Sequence, residues 1–213
     1  MGVSPVLEFT ILGCGSSSGV PRPNGDWGQC DPNDKKNRRL RPALMIKKIG
    51  ANRATTTVVI DTGVDFAQQM LASQVQHLDG VIYSHAHADH THGIDDLRSY
   101  ALAQKMRLPI YASREVLQHL QDSFSYCFLQ KPGSGYPPIL KTEEISAQKE
   151  FVVGGAGGEI SFLPLLQQHG NVKSLGFRIG KVAYCTDVND FLPESLPHPV
   201  SYTHLRAHET KAN

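Results

Sequence analysis

The stretch "YSHAHADHTHGIDD", residues 83 to 96, constrains this chain more than any other feature. Four histidines and three aspartates crowd fourteen positions, directly after the apolar run Val81-Ile82-Tyr83. Imidazoles and carboxylates are costly to gather at the end of a buried strand unless something cationic holds them. His85 and His87 are two residues apart, so in an extended chain they share a face and both rings reach one point. Asp89 and His90 follow where the chain leaves the sheet, at a strand-to-helix turn able to redirect them. Such nitrogen and oxygen donors suit zinc, manganese or iron. One loop supplies too few ligands for a catalytic ion. Two further candidates stand just past later strands, His169 in "LLQQHGN" and Asp187 in "AYCTDVND".

The rest of the chain reads as a mixed α/β domain. "LEFTILG" alternates as a strand and runs into the Gly/Ser/Pro-rich loop "CGSSSGVPRPNG". "PALMIKKIG" and "TTTVVIDTG" read as two strands joined by a turn near residues 50–52. Phe66, Met70, Leu71 and Val75 are expected on one helical face. "GVIYS" is a short buried strand, "DDLRSYALAQKMR" a helix and "LPIYAS" another strand. Ser113 suits the N-cap of a helix with Val116, Leu120, Phe124 and Phe128 on one stripe. From Lys131 to Gly158 the text is irregular, with one short strand around "KEFVV". Strands "EISFLPLL" and the hairpin "SLGFRIGKVAYCTD", turning at Gly180-Lys181, follow. Strands and helices interleave without the strict beat of a doubly wound sheet. After Asp187 no strand of useful length is expected.

Composition excludes several classes. With 21 basic against 20 acidic side chains the formal charge is +1, which gives no general field for nucleic acid or membrane. No apolar run approaches the roughly 20 residues of a membrane span, and the start has no basic n-region, so a cytoplasmic protein is expected. Cys14, Cys30, Cys127 and Cys185 include no C-x-x-C pair and read as free thiols.

The H-x-H-x-D-H pattern at His85, His87, Asp89 and His90, with His169 and Asp187, resembles the metallo-β-lactamase fold superfamily. "GCGSSSGVP", "NRRLRPALMI", "VVIDTG" and "HAHADHTHGIDDLR" resemble more narrowly the phosphoribosyl 1,2-cyclic phosphate phosphodiesterases, over about residues 7 to 192. The resemblance implies a four-layer αβ/βα sandwich and two divalent metal ions, zinc or manganese. His85, His87 and His169 would bind the first ion, Asp89 and His90 the second, and Asp187 would bridge both. It implies hydrolysis of a small cyclic or nucleotide-like phosphodiester by a hydroxide held between the ions, with Asp89 as the catalytic residue that handles its proton. Processing of RNA 3′ ends, hydrolysis of a lactone or thioester, and an inactive metal-binding scaffold stay open beside it.

Other positions complete the picture. Ser16, Ser17 and Ser18 are candidate phosphate contacts through hydroxyls and backbone N–H groups. Arg39 and Arg41, in "KKNRRLR", form either a solvated face or a phosphate-side wall. His92 is a candidate substrate contact, and Asp61 is expected to organise the cleft by hydrogen bonding. The family's accessory cysteine-bound zinc is expected to be absent, since "NGDWGQCDPN" offers only Cys30. The family also draws a further histidine from a strand-helix-strand unit after Asp187. Residues 1–197 are therefore expected to be one domain lacking that unit, and 198–213, with His198, His204 and His208, a non-native or disordered tail. The expected partner is a small phosphodiester; a homodimer is left open.

Overall fold

The computed structural model describes residues 5–192, Ser195 and the backbone of Thr203–Arg206. Strand β1 (Val6–Gly13) pairs antiparallel with β2 (Ala43–Ile49), and β2 with β3 (Thr55–Ile60). The β2–β3 turn closes where Gly50 N–H donates to the Ala54 carbonyl at 2.9 Å. From β3 onward the sheet is parallel. Strands β4 (Gly80–Ile82), β5 (Leu108–Ala112) and β6 (Leu140–Glu144) add in sequence, giving the order β1-β2-β3-β4-β5-β6. Parallel neighbours require crossovers. These are α1 (Phe66–Ala72), then α2 (Ala88–Thr91) with α3 (Leu97–Gln104), then α4 (Arg114–Ser123) with α5 (Ser125–Phe128).

A second sheet holds β7 (Phe151–Val153), β8 (Ile160–His169), β9 (Val172–Ile179), β10 (Val182–Cys185), β11 (Asp190–Phe191) and β12 (Thr203–Arg206). Its order is β11-β8-β9-β10-β12, with β7 on β8. The period-2 alternation of the first sheet's strands sorts their side chains into two cores. Met45, Val59, Val81 and Ile110 face the helices, packing with Phe66, Leu97 and Leu120. Leu44, Ile46, Val58, Ile60 and Ile82 face the second sheet, meeting Phe162, Leu175, Phe177 and Tyr184. The architecture is the two-sheet sandwich that the sequence implies, with its described α-helices outside the first sheet.

Several expectations need correction. The middle of the chain does keep a β-helix-β beat, and β6 was not foreseen. It is an edge strand with one fully buried residue, Leu140, so its sequence "LKTEE" carries no apolar alternation. Leu71 is 79% exposed and lies off the buried face shared by Phe66 and Met70. The helix from Arg114 breaks at Phe124, whose backbone leaves helical geometry, although Val116, Leu120 and Phe128 are buried and Phe124 packs beside them. Ser113 caps α4, its Oγ accepting from Val116 N–H. After Asp187 two short strands exist; β12 pairs parallel with β10. The side chains of His198, His204 and His208 lie outside the described residues, as does the rest of the expected tail 198–213 apart from the β12 backbone. No helix among the described residues is long and apolar enough to cross a membrane.

Candidate metal centre

The centre is built where both sheets end on one rim. Past β4, Tyr83 is buried, its hydroxyl 2.8 Å from Thr62 Oγ1, so the chain leaves the sheet in a fixed direction. His85 and His87 follow on the same side, their ring centroids 4.6 Å apart. His87 then takes the extended N-cap position of α2. The single turn of α2 swings Asp89 and His90 back, bringing the His90 ring to 4.2 Å from that of His85. From the second sheet, His169 ends β8, with its ring 5.4 Å from His85 and 5.2 Å from His87.

Asp187, just past β10, stands between these groups. Its Oδ2 is 3.1 Å from His90 Nε2, 3.5 Å from His85 Nε2 and 3.6 Å from His169 Nε2. Its φ of 48° is left-handed, a conformation that a short aspartate tolerates better than most residues. Ser174 Oγ donates to the Asp187 carbonyl at 3.1 Å, while Leu175 N–H donates to the Ser84 carbonyl at 3.0 Å. Strand β9 thereby holds the Asp187 loop and the histidine strand together.

Asp61 sets the chemistry of the imidazoles from beneath. It is fully buried, and accepts from Ser84 N–H (2.8 Å), Ser84 Oγ (2.7 Å) and His90 Nδ1 (2.7 Å). Because the Ser84 hydroxyl proton goes to Asp61, Ser84 Oγ is left to accept from His85 Nδ1, 3.0 Å away. His85 thus carries its proton on Nδ1 and turns its Nε2 lone pair inward, whereas His90 also presents Nε2 to Asp187 Oδ2 at 3.1 Å, a contact that holds a proton when no ion is there. Burial, aided by the charge of His90, pushes the His85 pKa down to about 3. Burial acts in the same sense on His90, but Asp61, Asp187 and Asp89 outweigh it and hold its pKa well above the ordinary value. Burial would raise the Asp187 carboxyl; hydrogen bonding and charge from His90, with His85 and His169, hold it well below the usual range. Asp89 is lowered too, the hydrogen bond and charge of His90 overcoming its burial.

This donor set fits divalent ions. His85, His87, His169 and Asp187 offer ligand atoms all within 4.8 Å of one another, and so do Asp89, His90 and Asp187. The two groups share Asp187. His85 Nε2 is buried without a hydrogen-bond partner, an arrangement costing roughly 1–3 kcal/mol unless an acceptor of its lone pair is present.

The structure leaves the other candidate residues outside this cluster. Ser16 and Ser18 pair with each other at 3.3 Å, and the Ser17 carbonyl accepts from Arg41 Nε at 3.3 Å. The Arg41 guanidinium is bound to Asp65 at 2.9 Å, so it ties the serine loop to the start of α1. Arg39 is exposed and bonds back to the Lys36 and Arg38 carbonyls. His92 is exposed and meets Phe124 edge to face at 5.4 Å. Sequence reading missed Ser84 and Gly63. A Cβ on Gly63 would fall 2.0 Å from the Asp89 carbonyl oxygen, so only glycine lets the loop after β3 pass under α2. The segment "IDTG" carried that signal.

Comparison with known proteins agrees with this geometry. A family model described as a beta-lactamase superfamily domain matches residues 56–200. A protein named octanoyltransferase from Porphyromonas gingivalis (strain ATCC BAA-308 / W83) is 33% identical over 190 residues. That match covers 89% of this chain but 36% of the relative, so the chain spans about a third of its length. Among solved structures, a diphosphatase of the PhnP family is 29% identical with a TM-score of 0.71, covering 89% of this chain and 69% of that one. Zinc-bound PqqB from Methylobacterium extorquens shares the fold at 16% identity and a TM-score of 0.57, over 84% and 62% of the respective chains.

Proposed function

We propose that this chain, which belongs to the beta-lactamase superfamily, is a metal-dependent hydrolase of small cyclic or nucleotide-like phosphodiesters. The observation that carries this reading is the sharing of Asp187 by two adjoining ligand groups. A pair of divalent sites suits the phosphoryl group, which presents several charged oxygens at once. The PhnP-family diphosphatase, at 29% identity, supports phosphoryl chemistry. The octanoyl transfer named for the Porphyromonas protein belongs to a polypeptide of which this chain matches 36%, and nothing in the cluster is particular to acyl transfer.

In this reading His85, His87 and His169 would hold one zinc or manganese ion, Asp89 and His90 would hold the other, and Asp187 would serve both. The ions supply Lewis acidity, making water a stronger acid and offsetting charge on phosphoryl oxygens. The chain's own groups do the positioning. Asp61 and Ser84 anchor Nδ1 of His90 and His85 and so keep both Nε2 atoms aimed inward, so neither ring has to turn when an ion binds. Asp89, whose Oδ2 lies 3.3 Å from His90 Nε2, would take a proton from the attacking water in this reading. Ser16, Ser17, Ser18, Arg39, Arg41 and His92 remain candidate contacts for the outer parts of the substrate.

The test is hydrolysis of bis-p-nitrophenyl phosphate by protein reconstituted with zinc or manganese, alongside an acyl lactone and a thioester. Turnover of the phosphodiester that chelation abolishes is the expected result. Turnover of the acyl substrates alone overturns the phosphodiesterase reading.

A further inference from the structure

A cleft of about 750 Å³ opens beside the cluster, with His85 and His87 in its wall. It is assembled from four separate places: the segment after β4 that carries the two histidines, the start of α4, the segment following β6, and the β8–β9 hairpin. This volume exceeds what a phosphoryl group needs and falls within the roughly 300–1,000 Å³ of small-molecule sites. Beyond the two imidazoles the wall is mostly apolar, formed by Val116, Ile145, Leu166, Val172 and Leu175, with four serines among them.

Charge at the rim is balanced. Arg114, with its side chain 81% exposed, pairs with Glu144 at 3.2 Å. Lys173 and Glu115 are a second cation and anion on the same rim. Two positive and two negative groups give no field for a polyanion, so a second phosphate or a nucleic-acid backbone gains little there. An uncharged ring or chain gains from leaving water.

We propose that this cleft is the subsite for an uncharged, apolar or aromatic arm of the substrate, held next to the phosphoryl position at His85 and His87. The inference rests on the phosphodiesterase reading and sharpens it. The favoured substrate class is a phosphodiester with a single anionic centre and a flat or apolar substituent.

Binding separates this claim from catalysis. Zinc-reconstituted protein is titrated calorimetrically with diphenyl phosphate and with dimethyl phosphate, which share the anion and differ in the arms. The phenyl diester is expected to bind roughly tenfold tighter or more, from the apolar area buried. Val172→Asp, at a position 39% exposed, and Ala147→Glu, at a half-buried one, place carboxylates in the wall, and circular dichroism checks that each variant stays folded. Each is expected to cut the ratio to within about threefold, with dimethyl phosphate affinity little changed. Equal affinities in the wild type, no measurable binding of diphenyl phosphate, or a ratio that survives both substitutions overturns the subsite. A preserved ratio without hydrolysis of bis-p-nitrophenyl phosphate leaves the subsite standing and refutes the phosphodiesterase reading.

Discussion

Replacing Asp61 tests the arrangement at its base, and two variants separate two roles. Asp61 accepts three buried hydrogen bonds, two from Ser84 and one from His90 Nδ1. Asp61→Ala strands all three donors and forces alanine into a φ of 67°. Bonds to a charged acceptor contribute roughly 1.5–3 kcal/mol each, and the left-handed backbone adds about 1 kcal/mol. Partial relaxation leaves an expected loss of about 4 kcal/mol or more in urea denaturation of the metal-free protein. Asp61→Asn keeps the shape and tolerates the left-handed backbone, so its expected loss is about 1–2 kcal/mol. Yet an amide N–H facing His90 Nδ1 moves the imidazole proton to Nε2, where an ion would bind. Zinc affinity, read by competition with a chromophoric chelator, is therefore expected to fall roughly 10–100-fold in Asp61→Asn. The histidine ¹⁵N shifts should show the tautomer exchange. An Asp61→Ala variant within about 1 kcal/mol of wild type, close to what an ordinary surface substitution costs, refutes the hydrogen-bond argument. An Asp61→Asn variant with unaltered tautomer and affinity refutes the tautomer argument.

Two further outcomes follow from the same geometry. Gly63→Ala drives a Cβ toward the Asp89 carbonyl, which lies 2.0 Å from the ideal position, and should lower stability by more than about 2 kcal/mol in the same denaturation assay. The metal-free protein should be most stable near pH 6.5. His85 is held neutral in the fold down to about pH 3, so the unfolded chain binds the extra proton first and stability falls as pH drops below 6.5. His90 has the opposite sign: its raised pKa stabilises the fold below 6.5, and that contribution is lost as pH rises through its folded value. Zinc should flatten the alkaline limb, since an ion replaces the His90 proton between the carboxylates; thermal denaturation across pH 4 to 10 with and without zinc reads both limbs.

How much of this was legible in the sequence depended on how local each signal is. His85, His87, Asp89 and His90 are readable because six residues contain both the strand end and the turn. His169 and Asp187 are readable as polar groups ending two later strands, although only folding brings Asp187 Oδ2 to 3.1 Å from His90. Ser84 was invisible, because a serine after a strand is ordinary and its use depends on Asp61, 23 positions earlier. Strand β6 was invisible because its hydrogen bonds come from β5 and its exposed side chains need no apolar pattern. The cleft was unreadable in principle, since three distant segments without a motif close it against the histidine segment. Arg41 was readable as a cation but not as the partner of Asp65.

The central claim is that seven ligand positions, with Asp187 counted in both groups, hold two ions together. Zinc titration of the metal-free protein, followed by calorimetry and elemental analysis after gel filtration, tests it most directly. Two equivalents per chain are expected in the wild type, with Asp187→Ala losing high-affinity binding of both while keeping its folded circular-dichroism spectrum. Two tightly held equivalents in Asp187→Ala, or none in the wild type, would contradict it.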